Sequence, residues 1–318
     1  MLERKLKEYT EEILELFDEV IQDYSADALM LSGGLDTSII AHLVSRYFKP
    51  QTVCVGFSGR HAPDIHYSKL VAKQFAFQNY IKLFTLKEAN EAAEYVVKTL
   101  KTFDPMEIRN DITIYLGMKY LKDAGVKSVI SGDGSDELFA GYSFLFKLKP
   151  REVDEWIKGI IKRWFFAAKP LGESLGLKVM QPFLDDRIIE LALKIPAELK
   201  IAEHNGVIQG KYVLRKAFEK FLSDDVIWRE KHPIETGSGS TELSKIFKVT
   251  PEEVEELSKI VRLDSQEQAY YFKIYLGTVG TIPTPKEGEQ MCPRCSGGVT
   301  VNKNYCKICG AYPVQNKS

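Results

Sequence analysis

The segment with the clearest chemical potential is residues 32–38, Ser-Gly-Gly-Leu-Asp-Thr-Ser, which directly follows the apolar run 28–31. Glycines and hydroxyls between a strand pattern and a helix pattern are typical of a phosphate-binding loop. Backbone N–H groups at a helix N-terminus face the anion, and glycine permits close approach. The spacing of these residues differs from that of the Walker A loop, Gly-x-x-x-x-Gly-Lys-Ser/Thr. It also differs from the dinucleotide-binding motif, Gly-x-Gly-x-x-Gly. A plain helix N-cap turn that uses Ser and Thr is the alternative. The predicted nucleotide-binding residues of this loop are Leu31, Ser32, Gly33, Gly34, Leu35, Asp36, Thr37 and Ser38.

The second chemical pattern is a set of four cysteines near the end of the chain, Cys292, Cys295, Cys306 and Cys309. Two Cys-x-x-Cys pairs at this separation are typical of a structural tetrathiolate zinc site, the Zn²⁺ being held by four sulfurs with no open position for catalysis. A redox dithiol pair and an iron cluster are the alternatives. The fifth cysteine, Cys54, lies in an apolar strand pattern and is predicted to be a buried core residue.

The elements that must position these residues alternate between strand and helix patterns. Strands are predicted at 28–31, 52–57, 80–84 and 128–131, and helices at 37–47, 65–77, 87–102 and 111–123. This alternation predicts an α/β fold with a doubly wound parallel sheet, in which ligands bind at the carboxyl ends of the strands. Polar, glycine-containing segments follow three of the strands, at 32–38, 56–59 and 132–137. The sequence therefore predicts that these segments converge on one cleft.

Helical patterns flank the predicted sheet on both sides in the sequence. An amphipathic helix is predicted over the first 23 residues, and further helices are predicted at 153–166, 186–195, 210–222 and 251–276. Thr250-Pro251-Glu252-Glu253 predicts a capping box with Pro at the first helical position. A stretch rich in Gly, Thr and Pro then predicts a domain boundary. We expect a main domain at 1–277, a linker at 278–290 and a zinc ribbon at 291–318.

Composition limits the function classes. The net charge of −1 over 318 residues gives no global attraction to nucleic acid, although the ribbon leaves RNA contact open. No apolar run approaches the ~18 residues of a membrane helix, and no secretory signal opens the chain. We therefore expect a cytoplasmic protein without membrane contact and without disulfides.

Several motifs together resemble the synthetase domain of asparagine synthetase, a branch of the PP-loop ATP pyrophosphatases. The loop at 31–38 alone also suits argininosuccinate synthetase, and the later motifs favour the asparagine synthetase branch. Those later motifs are Val55-Gly56-Phe57, the run from Ser131 to Tyr142 (Ser-Gly-Asp-Gly-Ser-Asp-Glu-Leu-Phe-Ala-Gly-Tyr), the run from Pro182 to Arg187, and the run from Lys211 to Phe218. The resemblance implies a PP-loop fold of the adenine nucleotide α hydrolase-like type.

The resemblance also implies an activity. An ATP-dependent carbon–nitrogen ligase of this kind forms AMP and pyrophosphate, activates a small carboxylate such as aspartate as an acyl-adenylate, and lets ammonia or an amine displace AMP. The alternatives are a PP-loop RNA- or tRNA-modifying enzyme that binds RNA through the ribbon, and a non-catalytic nucleotide-binding module. A homodimer is a further expectation.

Residue roles follow from the resemblance. The loop at 31–38 would bind pyrophosphate, and the adenosine and nearby groups would be held by Val55, Gly56, Phe57, Ser131 and Gly132. Asp36 and Asp136 would bind Mg²⁺, because Mg²⁺ prefers carboxylate oxygens. Lys211 would neutralise charge on the departing pyrophosphate. Asp133, one methylene shorter than the Glu of the family, would be the general base.

Several residues keep an alternative role at this point. Asp136 could be the N-cap of a helix that starts at residue 137, and Lys211 could lie on a solvated helix face. Asp111, where the family has small hydroxyl residues, could shape the acceptor pocket or cap a helix. Arg215 is expected to pair with Asp185 or Asp186. The segment 232–241 is either a lid over the substrate or a surface linker.

The family's complete enzyme carries a glutaminase domain with a cysteine nucleophile after the initiator methionine. In this sequence residue 2 is Leu, so we expect no such domain. The expected nitrogen source is therefore free ammonia, a separate glutaminase or an amine-bearing substrate.

Overall fold

The computed structural model describes residues 2–301 and 303–314 and divides the chain into two compact units. The first unit comprises Met1–Val55, Pro63–Lys82 and Gly117–Pro233, and the second comprises Gly56–Ala62, Leu83–Leu116 and Ile234–Ser318, in each case for the described residues within those bounds. Both units are discontinuous in sequence. The predicted division at 278–290 does not correspond to either boundary and stays a prediction.

The described residues form short strands and helices of varied length. The strands are β1 (Ala28–Met30), β2 (Gln51–Phe57), β3 (Asn79–Phe84), β4 (Ser128–Ile130), β5 (Lys178–Met180), β6 (Ala202–His204), β7 (Val207–Gln209), β8 (Glu289–Met291) and β9 (Gly298–Thr300). The α-helices are α1 (Leu2–Gln22), α2 (Leu35–Ser45), α3 (Asp64–Phe75), α4 (Leu86–Leu100), α5 (Pro105–Asp123), α6 (Ser135–Leu138), α7 (Pro150–Ile161), α8 (Ala168–Ser174), α9 (Asp186–Lys194), α10 (Ala197–Lys200), α11 (Tyr212–Phe218), α12 (Asp224–Ile227), α13 (Ile234–Ser238), α14 (Leu243–Ile246), α15 (Pro251–Ser258) and α16 (Gln266–Thr278).

The central sheet has five strands in the order β3-β2-β1-β4-β5. β1 pairs in parallel with β2 and with β4, and β4 pairs in parallel with β5. The predicted doubly wound sheet is confirmed. The strand order reverses between β1 and β4, and the loops that follow these two strands therefore lie at the switch point where α/β sheets bind ligands. β5 was not predicted, because a three-residue strand that begins with Lys178 shows no measurable periodicity.

The N-terminal helix packs on the segments that hold the site loops. Its four buried residues, Ile13, Phe17, Val20 and Ile21, recur at helical spacing, and the predicted amphipathic helix is confirmed. The ring of Phe17 meets the rings of Phe139 and Phe183 edge to face, with centroid distances of 6.2 and 5.7 Å. The two partner rings belong to the 131–142 and 182–187 motifs, so this helix supports both of them.

Two helix predictions are corrected by the structure. The single helix predicted at 251–276 is two helices, because the Ser265 hydroxyl accepts a hydrogen bond from the Gln268 N–H (3.0 Å) and starts α16 anew. The capping box of Thr250 and Glu253 at the start of α15 is confirmed. α5 begins at Pro105, after Asp104, whose Oδ1 accepts from the Met106 N–H (3.0 Å). Asp111 therefore lies inside α5, and the interpretation that it caps a helix is wrong.

No helix in the part of the chain that the structure describes is both long and apolar enough to cross a membrane.

Candidate active site and metal centre

Residues 31–38, which we call the phosphate loop after their predicted role, connect β1 to α2 within the first unit. The Gly33 backbone has φ +70°, and a Cβ there would lie 2.3 Å from the Tyr67 carbonyl carbon, so only glycine fits. The first N–H of α2 bonded within the helix is that of Ser38, which donates to Gly34 O (3.0 Å). The N–H groups of the first three helical residues precede it and have no partner within the helix. Gly34 is the N-cap, and no side chain caps the helix. Hydroxyls do bond the turn, since Ser32 Oγ accepts from the Gly34 N–H (3.2 Å) and Ser38 Oγ donates to Gly34 O (2.7 Å). Phosphate binding by this loop stays a prediction.

The loop that follows β4 lies directly against the phosphate loop. A Cβ on Gly132 would lie 3.1 Å from Thr37 Cγ2 and 3.3 Å from Asp36 Cβ. Asp133 Oδ2 accepts hydrogen bonds from Ser131 Oγ (2.7 Å) and from Gln181 Nε2 (2.8 Å). Two of the three segments predicted to converge therefore meet within the first unit.

Burial raises the pKa of the Asp133 carboxyl, and the hydrogen bonds from Ser131 and Gln181 oppose that rise. The nearby carboxylates of Asp36 and Asp136 raise the pKa further. A carboxylate with a raised pKa is a better proton acceptor than an exposed one. The geometry and the electrostatics of Asp133 are thus compatible with the role of a general base.

Four charged side chains form the centre of the site, and we refer to Asp36, Asp136, Lys211 and Lys231 as the charge cluster. Lys211 Nζ lies 2.7 Å from both oxygens of Asp36 and 2.8 Å from Asp136 Oδ1. Lys231 Nζ lies 2.6 Å from Asp136 Oδ2. The Lys211 side chain is only 3% exposed, so the interpretation of Lys211 as a solvated helix residue is wrong.

The two lysines determine the ionisation of Asp136. Burial alone would raise the pKa of its carboxyl, but the ammonium groups of Lys211 and Lys231 outweigh burial and hold the pKa well below its usual range. Gly134 is the N-cap of α6, which begins at Ser135, so the alternative that Asp136 caps a helix is wrong. Lys231 was not predicted as a site residue, because its link to Asp136 spans 95 residues of sequence.

The backbone around Lys211 is specialised for this position. Lys211 has a left-handed backbone (φ +55°), and its N–H donates to Phe139 O (3.0 Å). A non-glycine residue in this region costs about 1–3 kcal/mol and is found preferentially at functional sites. A Cβ on Gly141 would lie 2.4 Å from Lys211 Cε and 1.9 Å from Asp136 Oδ1. An alanine at 141 would therefore displace the ends of both side chains from these positions.

Arg229 ties the phosphate loop to the start of α3. Its guanidinium is 2.5 Å from Asp64 Oδ1, donates to Ser32 O (3.3 Å) and lies 3.9 Å from the centre of the Tyr67 ring. Asp64 thus reaches the loop through Arg229. No local pattern marks Arg229 as a site residue, although it lies in the run 228–231.

The expected pairing of Arg215 with Asp185 or Asp186 is wrong. Arg215 Nε donates to Gly210 O (3.0 Å), and its Nη1 donates to Arg229 O (3.2 Å). The arginine is buried and bonds backbone carbonyls, while Asp185 caps α9 and pairs with Arg187 (2.9 Å).

The remaining predicted nucleotide residues lie at the end of β2. Val55 belongs to the first unit, and Gly56 and Phe57 belong to the second. Within the second unit the Phe57 ring stacks on the ring of Phe84, with centroids 4.9 Å apart. Their role in binding adenosine stays a prediction.

The segment 232–241 is ordered where it enters the second unit. Ser238 Oγ lies 3.1 Å from Thr113 Oγ1, and Ser240 Oγ donates to Arg109 O (3.1 Å). Residues 237–240 are buried, so the surface-linker interpretation is wrong for that part of the segment, and closure as a lid stays a prediction.

A half-buried arginine of α5, Arg109, was not identified from the sequence. Arg109 lies 2.5 Å from Glu267 Oε2 and 3.6 Å from Glu235 Oε1, all within the second unit. Asn110 Oδ1 accepts from the Glu235 N–H (3.0 Å). A charge pattern on one helix does not reveal such partners, which lie more than 120 residues away in sequence.

The four cysteines of the C-terminal ribbon form a compact group. Their sulfurs all lie within 4.8 Å of one another, and two sulfur pairs, 292–309 and 295–306, are 3.7 Å apart. A tetrahedral zinc site with metal–sulfur distances of about 2.3 Å has sulfur–sulfur edges of about 3.8 Å. The cysteines are free rather than disulfide-bonded, and all four are buried. The donor set therefore fits a tetrahedral metal ion.

The second Cys-x-x-Cys pair, residues 306–309, is called the second knuckle here. Its backbone carbonyls accept hydrogen bonds from other parts of the second unit. Ile308 O accepts from the Phe103 N–H (2.7 Å), and Cys309 O accepts from Gln268 Nε2 (2.8 Å). Tyr305 Oη donates to Asp104 Oδ2 (2.5 Å). This knuckle is therefore packed on the residues just before α5 and on the first turn of α16.

The parallel sheet with two loops at its switch point, and the glycine loop beside two aspartates, define an α/β protein with the PP-loop type of fold. Residues 27–175 and 170–256 match the family model described as asparagine synthase. The match spans more than half of the chain, so the chain belongs to the asparagine synthase family.

Curated relatives agree with this membership. The nodule asparagine synthetase (glutamine-hydrolyzing) of Pisum sativum is 32% identical over 231 residues, which is 66% of this chain and 39% of that protein. The asparagine synthetase (glutamine-hydrolyzing) of Gallus gallus is 31% identical over 258 residues, or 76% of this chain and 45% of that protein. The chain thus spans less than half the length of these curated relatives. An NMN synthetase structure from Francisella tularensis matches with a TM-score of 0.31 and 18% identity over 77% of this chain and 98% of that one.

Proposed function

We propose that this chain is an ATP-dependent, amide-forming ligase that releases AMP and pyrophosphate. The charge cluster carries this proposal, because two aspartates and two lysines meet beside a glycine loop at the switch point of the sheet. A nucleoside triphosphate with its Mg²⁺ carries both charge signs. The carboxylates of such a cluster can bind the Mg²⁺, and its ammonium groups can bind the phosphates. The curated relatives named asparagine synthetase support a small amino acid carboxylate, aspartate or one similar, as the acceptor.

In the first chemical step a carboxylate oxygen attacks the α-phosphorus of ATP, and pyrophosphate leaves. Asp36 and Asp136 would hold the Mg²⁺ that arrives with ATP as part of the substrate. Lys211 and Lys231, which pair with those aspartates, would stabilise the phosphate oxygens of the leaving pyrophosphate. The N–H groups at the start of α2 would face the same phosphates.

In the second step a nitrogen lone pair attacks the acyl carbon, a proton leaves the nitrogen, and the bond to AMP breaks. We assign the proton acceptor role to Asp133, whose raised pKa and position beside Asp36 support it. The nitrogen would come from ammonia, free or delivered by a separate glutaminase, or from an amine-bearing substrate.

We also propose that the four cysteines hold one zinc ion with a structural role. Four buried sulfurs at tetrahedral separations support zinc, and a closed thiolate shell offers no site for catalysis. The docking of Ile308 and Cys309 through their carbonyl oxygens favours a packing role for the second knuckle over RNA contact.

One assay separates this function from its alternatives. The protein is incubated with MgATP, ammonium and a panel of amino acids, with and without tRNA, and pyrophosphate release is followed. Release that depends on one amino acid, with an amide as product and with loss in Asp36→Asn, supports the proposal. Release that requires tRNA would instead favour an RNA-modifying enzyme, and nucleotide binding without release would favour a binding module. Glu19→Gln on α1 is the matched control for the charge change, because Glu19 is 67% exposed.

A further inference from the structure

The carboxylate of Asp133 is held on one of its two oxygens by two neutral donors. Ser131 Oγ and Gln181 Nε2 both donate to Oδ2, at 2.7 and 2.8 Å. Among residues 2–301 and 303–314, no hydrogen bond is directed to the other oxygen, Oδ1. Two donors on one oxygen fix the rotation of the carboxylate and leave Oδ1 as the proton acceptor.

The sheet register places Gln181 beside this loop. Ile130 of β4 pairs with Met180 of β5, and the Ser131 N–H donates to Met180 O (3.0 Å). Because the strands are parallel, Ser131 and Gln181 follow the two strands at the same level of the sheet edge. The amide of Gln181 is therefore positioned by the backbone of β5.

Close packing keeps the Asp133 loop near Gln181. The next residue, Gly134, has φ +96°, and a Cβ there would lie 2.4 Å from Leu184 Cδ2. Leu184 ends the 3₁₀ turn that begins directly after Gln181. The backbone thus fixes the separation of the Asp133 carboxylate from the Gln181 amide on both sides.

Asp133 is bonded by neutral donors although charged groups lie nearby, and this affects its basicity. The carboxylates of Asp36 and Asp136 face it, and Lys211 and Lys231 pair with those carboxylates. A lysine bonded directly to Asp133 would favour its charged form and weaken it as a base, whereas an amide orients the carboxylate with a smaller loss of basicity.

We infer that Gln181 is the positioning residue of the general base: its amide holds Asp133 so that Oδ1 faces the attacking nitrogen. The inference rests on the proposed function for the role of Asp133. Gln181 is not assigned a contact with substrate.

A first experiment uses the free protein and needs no substrate. The protein is labelled with ¹³C at aspartate carboxyl carbons and titrated by NMR, and the Asp133 signal is identified by its loss in Asp133→Asn. Gln181→Met removes the donor while keeping the length of the side chain. We expect the pKa of Asp133 to rise by about one unit in Gln181→Met, because one hydrogen bond to the charged form is lost. A larger rise is expected in Gln181→Glu, which adds a neighbouring carboxylate. Gln22→Leu on α1 is the control.

A second experiment measures pyrophosphate release against pH. We expect Gln181→Met to lower kcat about tenfold with an unchanged KM for ATP, and to move the acidic limb of the kcat profile to higher pH. If Asp133→Asn is inactive while both Gln181 variants keep the wild-type pKa and profile, the inference is overturned and the proposed base remains. If Asp133→Asn keeps the wild-type rate, the proposed base is itself wrong and the inference falls with it.

Discussion

Lys211 Nζ lies at the same distance, 2.7 Å, from both carboxylate oxygens of Asp36, although 175 residues separate the two in sequence. The ammonium therefore contacts both of the Asp36 oxygens that we propose as ligands of Mg²⁺. The same ammonium lies 2.8 Å from Asp136. This arrangement makes the two aspartates and the lysine one electrostatic unit, and changes in one member are expected to alter the others.

Lys211→Met is the direct test of this unit. We expect pyrophosphate release to fall at least about 100-fold, because the charge opposite the leaving group is lost. We also expect the free energy of unfolding to fall by about 3 kcal/mol, since two buried carboxylates lose a partner. Added Mg²⁺ without ATP should then raise the Tm of the variant more than that of the wild type, because the aspartates are open to the cation. Lys216→Met on α11, which breaks the partly exposed pair with Glu219, is the control. Equal Mg²⁺ effects in the variant and the wild type would contradict the competition between lysine and cation.

Gly33→Ala tests the shape of the phosphate loop. A Cβ at residue 33 would lie 2.5 Å from the Ser68 backbone nitrogen, so we expect the loop to shift and the unfolding free energy to fall by more than about 2 kcal/mol. MgATP should no longer raise the Tm. Gly59→Ala is a matched control, because Gly59 has a similar φ (+72°) with no atom within 4 Å of the added Cβ. It should cost only about 1 kcal/mol, the expense of the left-handed backbone alone. Similar losses in the two variants, measured by denaturant unfolding, would argue against a steric cause.

Lys200, the last residue of α10, gives a pH-dependent prediction. It is 1% exposed, and burial lowers its pKa to about 8, with Asp154 opposing the shift. The folded-state pKa is below the ordinary lysine value of about 10.4, so the unfolded chain binds more protons between these values and this group increases stability as pH rises from about 8 to 10.4. Lys200→Met should therefore stabilise the protein by about 2–3 kcal/mol at pH 7 and by little at pH 10.5. Unfolding midpoints at the two pH values measure this, and Lys194→Met on the exposed end of α9 is the control. A gain independent of pH would show that packing rather than charge is responsible.

Removal of the ribbon metal should loosen part of the second unit. We expect about one zinc per chain by elemental analysis, and loss of that zinc in Cys306→Ser. A strong chelator should lower the Tm and increase hydrogen exchange at the backbone amide of Phe103 and at the side-chain amide of Gln268, which donate to carbonyls of the second knuckle. Cys54→Ala, at a buried thiol whose pKa burial raises to about 12, should keep the zinc. Unchanged exchange at both positions after metal loss would show that the docking does not depend on the ion.

Local chemistry explains which parts of the fold could be predicted from the sequence. The phosphate loop, the four longer strand patterns and the Thr250 capping box depend on residues close in sequence, and each of these elements is found. The cysteine group was predictable for the same reason, because two knuckles determine their own spacing.

The missed features depend on partners distant in sequence. Lys231, Arg229 and Gln181 have ordinary local contexts, and their importance lies in contacts across 95, 165 and 48 residues. Arg215 was assigned a wrong partner, because a buried arginine can use backbone carbonyls that no pattern of side chains marks. Sequence patterns therefore predicted the phosphate-binding half of the site better than the residues that orient it.

The site depends on the missing side chain of Gly141 as well as on its charged residues. The space that a methyl group would fill at residue 141 is occupied by the Lys211 stem and an oxygen of Asp136. A chain that kept both aspartates and the lysine but had alanine at this position would retain every ionisable group, but the ends of Lys211 and Asp136 would have to shift. A relative in which another residue replaces this glycine is therefore expected to have a disturbed site. A comparison of charged residues alone would not reveal that change.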